Sequence, residues 1–413
     1  MSARWTGGQY SVVRAVLGIY LVVHFACLLP YGAEVFSSHG VLPDASQSPL
    51  IGLFPNILAV WDAPPAVSTL LVIALLASVA LAVGTHDRAA ALVVAYVWAC
   101  LYGRNPLISN PSLPYVGWLL VAHACVPGAP YGAWRARGRA DPGGGWSFPR
   151  GVYVAAWIAM AVGYSYSGAM KLASPSWLDG SAIERILANP LTRPGLAREW
   201  MLELPSSLLR ALTYGALAAE IAFAPLALAR RLRPWLWAAM LAMHVSLMAL
   251  IDFADLSFGM LCLHLFTFDP AWIPARRAAG ATRVFYDGHC GLCHGFVRFV
   301  LAEDSTGETF RLSPLQGETV ASVCSQRERA ALPDSLVVVG RGEEPRVRSA
   351  AVLYVLDRLG GLWRVAAFAV RVVPSGLRDA LYDLIARWRL RIFARPEAAC
   401  PLVPRHLASR FEP

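Results

Sequence analysis

Eight apolar stretches occupy the first two thirds of the chain and are separated by more polar loops. An α-helix needs about 20 apolar residues to cross the ~30 Å hydrocarbon core of a bilayer, and several of these stretches are shorter. We therefore predict eight membrane-spanning helices, with seven as the alternative count. The stretches are Tyr10–Leu29, Ala66–Val83, Ala89–Tyr102, Tyr115–Val126, Val152–Met170, Leu208–Leu228, Pro234–Ile251 and Leu256–Phe268.

The pattern changes after Arg283, where short β-type runs alternate with helical segments. Such alternation is typical of a small α/β sheet, which we expect to be thioredoxin-like. The fold prediction is an α-helical polytopic membrane bundle over residues 1–275 and a C-terminal α/β thioredoxin-like domain over residues 283–413. The predicted strands are Val284–Tyr286, Phe310–Leu312 and Leu336–Val339, and the predicted helices are Leu292–Ala302, Gly317–Leu332, Val347–Leu359 and Leu377–Ile392.

Composition also favours a membrane protein. Of 413 residues, 56% are hydrophobic and 15% are charged, whereas soluble proteins carry about 25% charged residues. The net charge of +9 comes almost entirely from arginine, and the arginines gather in alternate loops. The positive-inside rule then predicts a multi-pass protein of the cell membrane with both termini in the cytoplasm. No basic face is interleaved with aromatic residues, so we expect no nucleic-acid partner.

Two cysteines with Cys-x-x-Cys spacing follow the first predicted strand. Cys290 and Cys293 come directly after Asp287-Gly288-His289 and open a segment with helical periodicity. The free N–H groups and the positive dipole end of a helix stabilise a thiolate. We predict a redox-active dithiol in which Cys290, expected to be the more exposed thiol, attacks and Cys293 resolves. Asp287 would relay a proton or cap the helix. His289 would tune the local field, with helix capping or exposure to solvent as the alternatives.

The alternative for this cysteine pair is half of a zinc site. Zinc would need two more ligands, from Cys324 or Cys400 together with His294 or His406. The sequence holds no second close-spaced pair, so we favour redox chemistry and expect no metal. Pro333 precedes the third predicted strand and is a candidate for the cis-proline that thioredoxin-like folds place against their cysteines, a trans loop proline being the alternative.

These residues carry a resemblance to a known family. The run Tyr-Asp-Gly-x-Cys-Gly-x-Cys that ends at Cys293 resembles the DCC family of thiol-disulfide oxidoreductases, named for its Asp and two Cys. The resemblance covers Arg283 to the C-terminus and implies activity on protein or small-molecule disulfides, with Asp287 as the family's acid. Cys400 matches a tail cysteine of the pattern, as a third redox partner or a packed thiol. Further matches are Ser313-Pro314-Leu315-Gln316, Ser349-Ala350-Ala351-Val352, Leu359-Gly360-Gly361, Val373-Pro374, Arg378-Asp379-Ala380-Leu381-Tyr382 and Arg410-Phe411.

Lys171 is the only lysine in the chain, and it ends the fifth apolar stretch. An amine in an apolar site can be neutral and act as a base or nucleophile, which arginine cannot. Tyr164 shares a helical face with Lys171, and Glu220 and His244 lie at mid-depth in the next two stretches, where they could meet Lys171 in a polar pocket. The alternatives are a snorkelling anchor for Lys171 and structural hydrogen bonds for the others.

The membrane half has a resemblance of its own. The run Tyr-x-x-Ser-Gly-x-x-Lys-Leu around Lys171, followed by Trp177-Leu178-Asp179-Gly180, is similar to the HTTM family, the bacterial membrane relatives of vitamin K-dependent γ-carboxylase. The likeness spans roughly Arg14–Pro274 and implies that Lys171 matches the base lysine of the carboxylase. The chain departs from the pattern at Pro111, where the carboxylase carries a histidine, and it lacks the large lumenal domain. We therefore expect a quinone- or lipid-like ligand near Lys171 rather than carboxylation.

The predicted function is that of a membrane-anchored thiol-disulfide oxidoreductase, of the protein-disulfide reductase type, on the cytoplasmic face. We expect a disulfide-containing protein or small-molecule substrate, a thiol reductant and the lipid bilayer as partners, and no bound cofactor besides the redox-active disulfide. One alternative is a membrane enzyme or binding module for a quinone- or lipid-like molecule that uses Lys171, with the dithiol as electron source or regulator. Another is a structural membrane protein with a vestigial redox domain.

Overall fold

The computed structural model of the chain describes residues 5–276, 280–326, 335–393 and 404–413. Most of these residues are helical, and one small mixed sheet lies near the C-terminus. The chain divides into two compact units. The helical unit comprises Val13–Gly128 and Pro149–Phe268, and the sheet unit comprises Met1–Val12, Ala129–Phe148 and Asp269–Pro413.

Every predicted apolar stretch forms helix, which confirms the helical part of the sequence prediction. The sixth stretch is interrupted at Ala222, three residues before Pro225, and forms two helices. The helices are Gly7–Leu28, Pro64–Val83, Asp87–Arg104, Leu113–Ala124, Arg150–Lys171, Ser206–Ile221, Phe223–Ala227, Arg233–Leu250 and Ala254–Thr267. Shorter helices in the connecting segments are Gly32–Phe36, Pro175–Leu178, Ala182–Ala188 and Leu196–Leu202.

Two segments of the described chain, Gly7–Phe36 and Pro64–Val83, are long and apolar enough to cross a membrane by length and composition. Leu113–Ala124 and Asp255–Thr267 are apolar but shorter. The other helices are less apolar or too short for this criterion, so the count of eight spans stays a prediction. Outward-facing positions of the helical unit nevertheless carry large exposed apolar side chains, among them Ile19, Val23, Leu76, Ile158 and Val162.

The sheet has four strands in the order β2-β1-β3-β4, and β1 lies in its interior. Strand β1 (Thr282–Tyr286) runs parallel to β2 (Phe310–Pro314), with Val284 opposite Leu312. It runs antiparallel to β3 (Val337–Val339), with Val284 opposite Val338. Strand β4 (Arg346–Val347) pairs antiparallel with β3.

Two hydrophobic clusters cover the two faces of the sheet, because side chains alternate along a strand. Val284 and Tyr286 of β1 face one cluster, which includes Val297 and Val300 of the helix Gly291–Glu303. Phe285 faces the other cluster, together with Cys324. The last three residues of β1, Val284 to Tyr286, are fully buried, which explains this short apolar run in the sequence.

The described residues of the sheet unit form four longer helices. We call Gly291–Glu303 the dithiol helix, Gly361–Arg371 the short outer helix and Ser375–Ile392 the long outer helix. The fourth is Arg348–Leu359, and short helices occupy Thr319–Val323 and Arg405–Ala408. Most of these elements and strands β1 to β3 were predicted. The helix predicted over Gly317–Leu332 is seen as Thr319–Val323, and its last residues lie outside the described part of the chain, as do Pro333 and Cys400.

Three elements among the described residues of the sheet unit were missing from the sequence prediction, and one of them is the four-residue helix Arg405–Ala408. Strand β4 has only two residues, too few for a periodic pattern. The short outer helix begins at Gly361, and the φ angles of Gly360 and Gly361 are +74° and +54°. Glycine adopts positive φ angles without steric penalty, so the chain turns sharply and starts a new helix in a stretch for which no element was predicted.

The N-terminal segment and the loop Ala129–Phe148 belong to the same compact unit as the sheet. Glu303, at the end of the dithiol helix, accepts a hydrogen bond from the backbone N–H of Gly8 at 2.8 Å. The backbone N–H of Leu362 donates to Oε1 of Gln9 at 2.9 Å. The ring of Tyr131 packs against that of Phe299, with centroids 6.4 Å apart. The sheet unit is therefore completed by residues far from it in sequence.

Candidate functional site

The two cysteines lie at the N-terminus of the dithiol helix, as predicted. Cys290 is the residue that precedes the helix, with an extended backbone (φ −117°, ψ 115°), and Cys293 lies one turn inside. The backbone N–H of His294 donates to the carbonyl of Cys290 at 3.0 Å and closes the first turn. Both cysteines are free thiols in the structure. The helix start therefore presents both sulfurs to the positive end of the helix dipole.

The order of exposure is the reverse of the prediction. Cys290 was expected to be the more exposed thiol, but it has 0% of its surface accessible, whereas Cys293 is half-buried. The long outer helix packs against the dithiol helix and brings Tyr382 and Arg389 into electrostatic range of Cys293. This cover comes from residues almost one hundred positions later in the chain, so no local pattern around the cysteines could indicate it.

The electrostatics of the pair distinguish the two sulfurs. Burial, followed by a hydrogen bond with Cys290, raises the pKa of Cys293 from 9.0 to about 12. The positive charge of Arg389 acts in the opposite direction and is too weak to offset burial. Cys293 therefore keeps its proton at neutral pH and can share it with its neighbour. This assignment agrees with the predicted resolving role of Cys293.

Asp287 is nine-tenths buried and holds the turn before the cysteines together. Its Oδ1 accepts hydrogen bonds from the backbone N–H of His289 at 3.0 Å and from the side chain of Gln316 at 3.2 Å. Its Oδ2 lies 3.2 Å from Nη2 of Arg389, and both side chains are almost inaccessible. Of the two predicted roles, helix capping is wrong, because the side chain bonds to the turn and to Arg389 rather than to the helix N–H groups.

Three residues of the site were not assigned a role from the sequence, although Gln316 and Tyr382 lie in stretches that match the DCC family. Gln316 accepts from the backbone N–H of Gly288 at 3.2 Å and so joins β2 to the cysteine turn. Tyr382 accepts from the backbone N–H of Leu336 at 2.9 Å, and burial raises its pKa. Tyr382 and Arg389 are seven residues apart and share one face of a helix. The sequence contains this spacing, but the helix has several other arginines, so the spacing alone does not single out Arg389.

The zinc alternative finds little support in the positions of its proposed ligands. Cys324 packs on the opposite face of the sheet from Val284 and the dithiol helix. Nε2 of His294 lies 2.9 Å from the carbonyl of Gly288, and His406 lies 3.4 Å from Asp141. Within the described residues, no group of three or more His, Cys, Asp or Glu side chains is arranged to hold a metal ion.

The residues predicted for the membrane site form two contacting pairs, and one member of each pair lies on helix Arg150–Lys171. Nζ of Lys171 lies 2.5 Å from Oε2 of Glu220 and 4.5 Å from the ring centre of Trp177. The hydroxyl of Tyr164 lies 2.9 Å from Nε2 of His244. His264, which the sequence analysis did not select, lies 3.4 Å from the same hydroxyl. The predicted residues thus pair as Lys171–Glu220 and Tyr164–His244.

A dithiol at a helix N-terminus, after the central strand of a small mixed sheet, defines a thiol redox protein. Comparison with known proteins agrees: residues 284–395 match the DCC1-like thiol-disulfide oxidoreductase family. The uncharacterized protein YuxK of Bacillus subtilis is 33% identical over 136 residues, which cover 32% of this chain and 93% of that protein. A chloroplastic DCC family protein of Arabidopsis thaliana is 30% identical over 115 residues, which cover 28% of this chain and 66% of that protein.

Through its C-terminal domain the chain belongs to the DCC1-like thiol-disulfide oxidoreductase family, as the sequence resemblance indicated. Membership of this family supports a thiol redox function for the chain and, in general terms, redox enzyme activity. No solved structure matches the chain. The family match lies within the C-terminal part, and the likeness of the helical unit to the HTTM family stays a prediction.

Proposed function

We propose that this protein is a membrane-anchored thiol-disulfide oxidoreductase that reduces disulfides on the cytoplasmic face of the cell membrane. The observation that carries this proposal is the free Cys290–Cys293 pair at a helix N-terminus, in which Cys293 is held protonated beside Cys290. The substrate is a disulfide-containing protein or small molecule. A thiol reductant returns the enzyme to its dithiol form.

The reaction follows from the roles of the two sulfurs. The Cys290 thiolate attacks one sulfur of the substrate disulfide, and the first substrate thiolate leaves as a mixed disulfide forms. Cys293 then loses its proton and attacks Cys290, which releases the second substrate thiolate and leaves a Cys290–Cys293 disulfide. The substrate gains two electrons and two protons, and the enzyme loses them. An external dithiol reverses the change in the enzyme.

The topology of the sheet supports a thioredoxin-like assignment for the C-terminal domain. Two parallel strands flank the dithiol helix in sequence, and β3 and β4 follow as an antiparallel pair. The dithiol comes directly after the interior strand β1. This placement points the helix N-terminus and its thiols to the carboxyl end of that strand, where α/β folds commonly bind their substrates.

Several features support membrane anchoring with eight spans and cytoplasmic termini. The helices of the helical unit expose large apolar side chains, which water would disfavour and lipid would accept. The N-terminal segment, the arginine-containing loop Ala129–Phe148 and the C-terminal domain pack into one unit. These are three segments that the positive-inside rule assigns to the same side. Their association favours an even number of spans between them.

The first test is disulfide reduction by the purified full-length protein. We expect Cys290→Ser to abolish turnover, and Cys293→Ser to form a mixed disulfide with the substrate that is not resolved. The exposed Cys27 of helix Gly7–Leu28 provides the control, since Cys27→Ser should retain full activity. Normal turnover by Cys290→Ser would exclude the proposal. The mixed disulfides trapped by Cys293→Ser identify the physiological substrates.

A second candidate function rests on the Lys171–Glu220 pair in the helical unit. An ammonium bonded to a nearly inaccessible carboxylate is a site at which a proton could be exchanged with a quinone- or lipid-like ligand. Lys171→Arg retains the charge and the ion pair but cannot act as a base. Impaired growth or ligand turnover of the Lys171→Arg protein with intact disulfide reduction would favour this function, and an unchanged phenotype would favour a snorkelling anchor.

A further inference from the structure

The long outer helix has its hydrophobic side turned outwards. Its inner face carries polar residues: Tyr382, Arg389 and Asp379, whose carboxylate accepts a hydrogen bond from Ser349. Its outer face carries six large apolar side chains at helical spacing, with accessible fractions between 46% and 69%. A surface helix of a soluble domain shows the opposite arrangement. The six are Leu377, Leu381, Leu384, Ile385, Trp388 and Ile392.

The short outer helix extends this apolar surface. Val365, Phe368 and Val372 follow one another at intervals of three and four residues, and Phe368 and Val372 are 72% and 78% exposed. The connection to the long outer helix exposes Val373 as well. An exposed apolar surface of this extent marks a binding surface for a membrane or another macromolecule. We call the ten exposed side chains on the two outer helices and their connection the apolar surface.

Arginines accompany the apolar surface. Residues 361–393 contain six arginines and two aspartates. The aspartates are engaged within the domain, Asp379 by Ser349 and Asp383 by Arg348 at 3.1 Å. Arg387 and Arg391 are exposed, and the guanidinium of Arg391 lies 5.2 Å from the ring centre of Trp388. The surroundings of the apolar surface are therefore strongly positive.

A cavity of about 360 Å³ lies where the two outer helices meet Arg348–Leu359. Three guanidinium groups line it, and no carboxylate does. Arg371 is neutralised by Asp357 and Arg346 by Glu343. Nε of Arg378 is buried and has no hydrogen-bond partner in the described residues. This cavity, the arginine pocket, is lined by Arg346, Ala350, Leu353, Tyr354, Arg371 and Arg378, and its chemistry fits a phosphate group.

The short outer helix is tied to the ends of proposed membrane spans. The backbone N–H of Leu362, in its first turn, donates a hydrogen bond to Oε1 of Gln9, which lies in the first turn of helix Gly7–Leu28. The backbone N–H of Gly361 donates to the carbonyl of Ile273 at 2.8 Å, six residues after helix Ala254–Thr267 ends. Both segments that hold the short outer helix are therefore close in sequence to a proposed membrane span.

We propose that the two outer helices lie on the cytoplasmic surface of the cell membrane. The apolar surface then lies in the interfacial region of the bilayer, and the arginine pocket binds the phosphate of an anionic phospholipid. Apolar and arginine side chains side by side are the signature of an interfacial helix, and each basic residue near an anionic surface adds attraction. A second copy of the chain is a poorer occupant, because two equally positive surfaces repel. Free phosphate would leave the apolar surface without a partner.

The test uses the full-length protein in lipid nanodiscs that contain a photoactivatable phospholipid. One set carries phosphatidylglycerol and the other carries phosphatidylcholine, and crosslinks are mapped by mass spectrometry. We expect crosslinks within residues 361–393 that are stronger with phosphatidylglycerol. Arg378→Gln should lower this preference about fivefold, the effect of one basic residue at an anionic surface. Arg341→Gln, which removes an exposed arginine elsewhere in the domain, is the matched control and should change nothing.

A second variant tests the apolar surface without disturbing the core. Leu381 and Trp388 are exposed, so Leu381→Ser with Trp388→Ser should leave the fold intact and remove most crosslinks to either lipid. Equal labelling of residues 361–393 by both lipids in the wild-type protein would overturn the proposal. So would insensitivity to Arg378→Gln, or crosslinks that join the outer helices of two copies instead of lipid.

Discussion

Arg389 is the residue that links the acid of the site to its sulfurs. Its guanidinium lies 3.2 Å from Asp287 and within electrostatic range of Cys293. The sequence predicted the position of Cys290 and Cys293 at the start of a helix and of Asp287 directly after a strand, because their spacing and the preceding strand are local features. It could not reveal that Cys290 is buried or that Arg389 pairs with Asp287, because both depend on the packing of a distant helix.

Replacing Arg389 should affect both chemistry and stability. Arg389→Met removes the charge that opposes the rise in the pKa of Cys293, so the thiolate fraction of Cys293 should fall about tenfold for each unit that the pKa rises. Because a more basic thiolate is also a better nucleophile, attack on the mixed disulfide should slow by about three- to fourfold for each unit. The substitution also leaves the Asp287 carboxylate buried without its partner, which costs about 3–5 kcal/mol for a pair of this kind. Rapid-quench measurement of the mixed disulfide reports the first effect, and thermal unfolding reports the second.

Arg387 provides the control for this experiment, since it is exposed on the same helix and its Nε donates to the backbone carbonyl of Asp383. Arg387→Met should leave the resolution rate and the unfolding temperature near their wild-type values. Equal behaviour of the two variants would mean that Arg389 does not act on the dithiol.

The raised pKa of Cys293 gives the protein a specific alkaline pH dependence. Below pH 9 both folded and unfolded chains keep this proton; between 9.0 and about 12 the unfolded chain releases it while the folded chain retains it. The contribution of Cys293 to the free energy of unfolding is therefore complete below pH 9 and is lost as pH rises toward 12. Denaturant unfolding of wild type and Cys293→Ala across this range should show a steeper loss in the wild type.

At the scale of elements, the dithiol helix is held at both ends. Its N-terminus carries the cysteines, and Glu303 at its C-terminal end accepts hydrogen bonds from Thr6, the N–H of Gly8 and Nε1 of Trp363. Burial raises the pKa of Glu303. The sequence predicted this helix within one residue at each end. It gave no sign of these partners, because a glutamate at a helix end is usually a solvated residue.

Removing Glu303 should loosen the dithiol helix. In the Glu303→Ala protein three donors lose their acceptor, and each buried unsatisfied group costs about 1–3 kcal/mol. We expect a clear decrease in the unfolding temperature of the full-length protein and faster hydrogen exchange in residues 291–303. Glu308→Ala, five residues later at an exposed position, should change neither. Identical exchange in both variants would argue against the anchoring role.

At the scale of the whole molecule, hydrophobic periodicity predicted the main helices except the short outer helix, and charge distribution predicted which connections share a side. It did not predict that the N-terminal segment and the loop Ala129–Phe148 complete the sheet unit. Contacts between segments more than one hundred residues apart leave no periodic trace in a single sequence. The predicted domains, residues 1–275 and 283–413, therefore follow the order of the chain, whereas the compact units also contain contacts between distant segments.

Protease accessibility in oriented vesicles checks the proposed topology. With both termini inside, the C-terminal domain should be cleaved only in inverted vesicles, at exposed turn sites such as Arg341. In right-side-out vesicles the arginine-containing loop Ala129–Phe148 should be protected from the protease together with the C-terminal domain, because both belong to one unit. Cleavage of the domain in right-side-out vesicles would contradict the cytoplasmic assignment.

The complete burial of Cys290 governs how fast any reagent can find it. A sulfur with no accessible surface is modified only during transient openings, so the observed rate is the intrinsic rate multiplied by the fraction of open conformers. A small alkylating agent and a bulky one should then differ in rate far more at Cys290 than at the half-buried Cys293. Such dependence on reagent size would protect the dithiol from oxidation by unrelated molecules. It would restrict the reaction to substrates whose binding exposes Cys290.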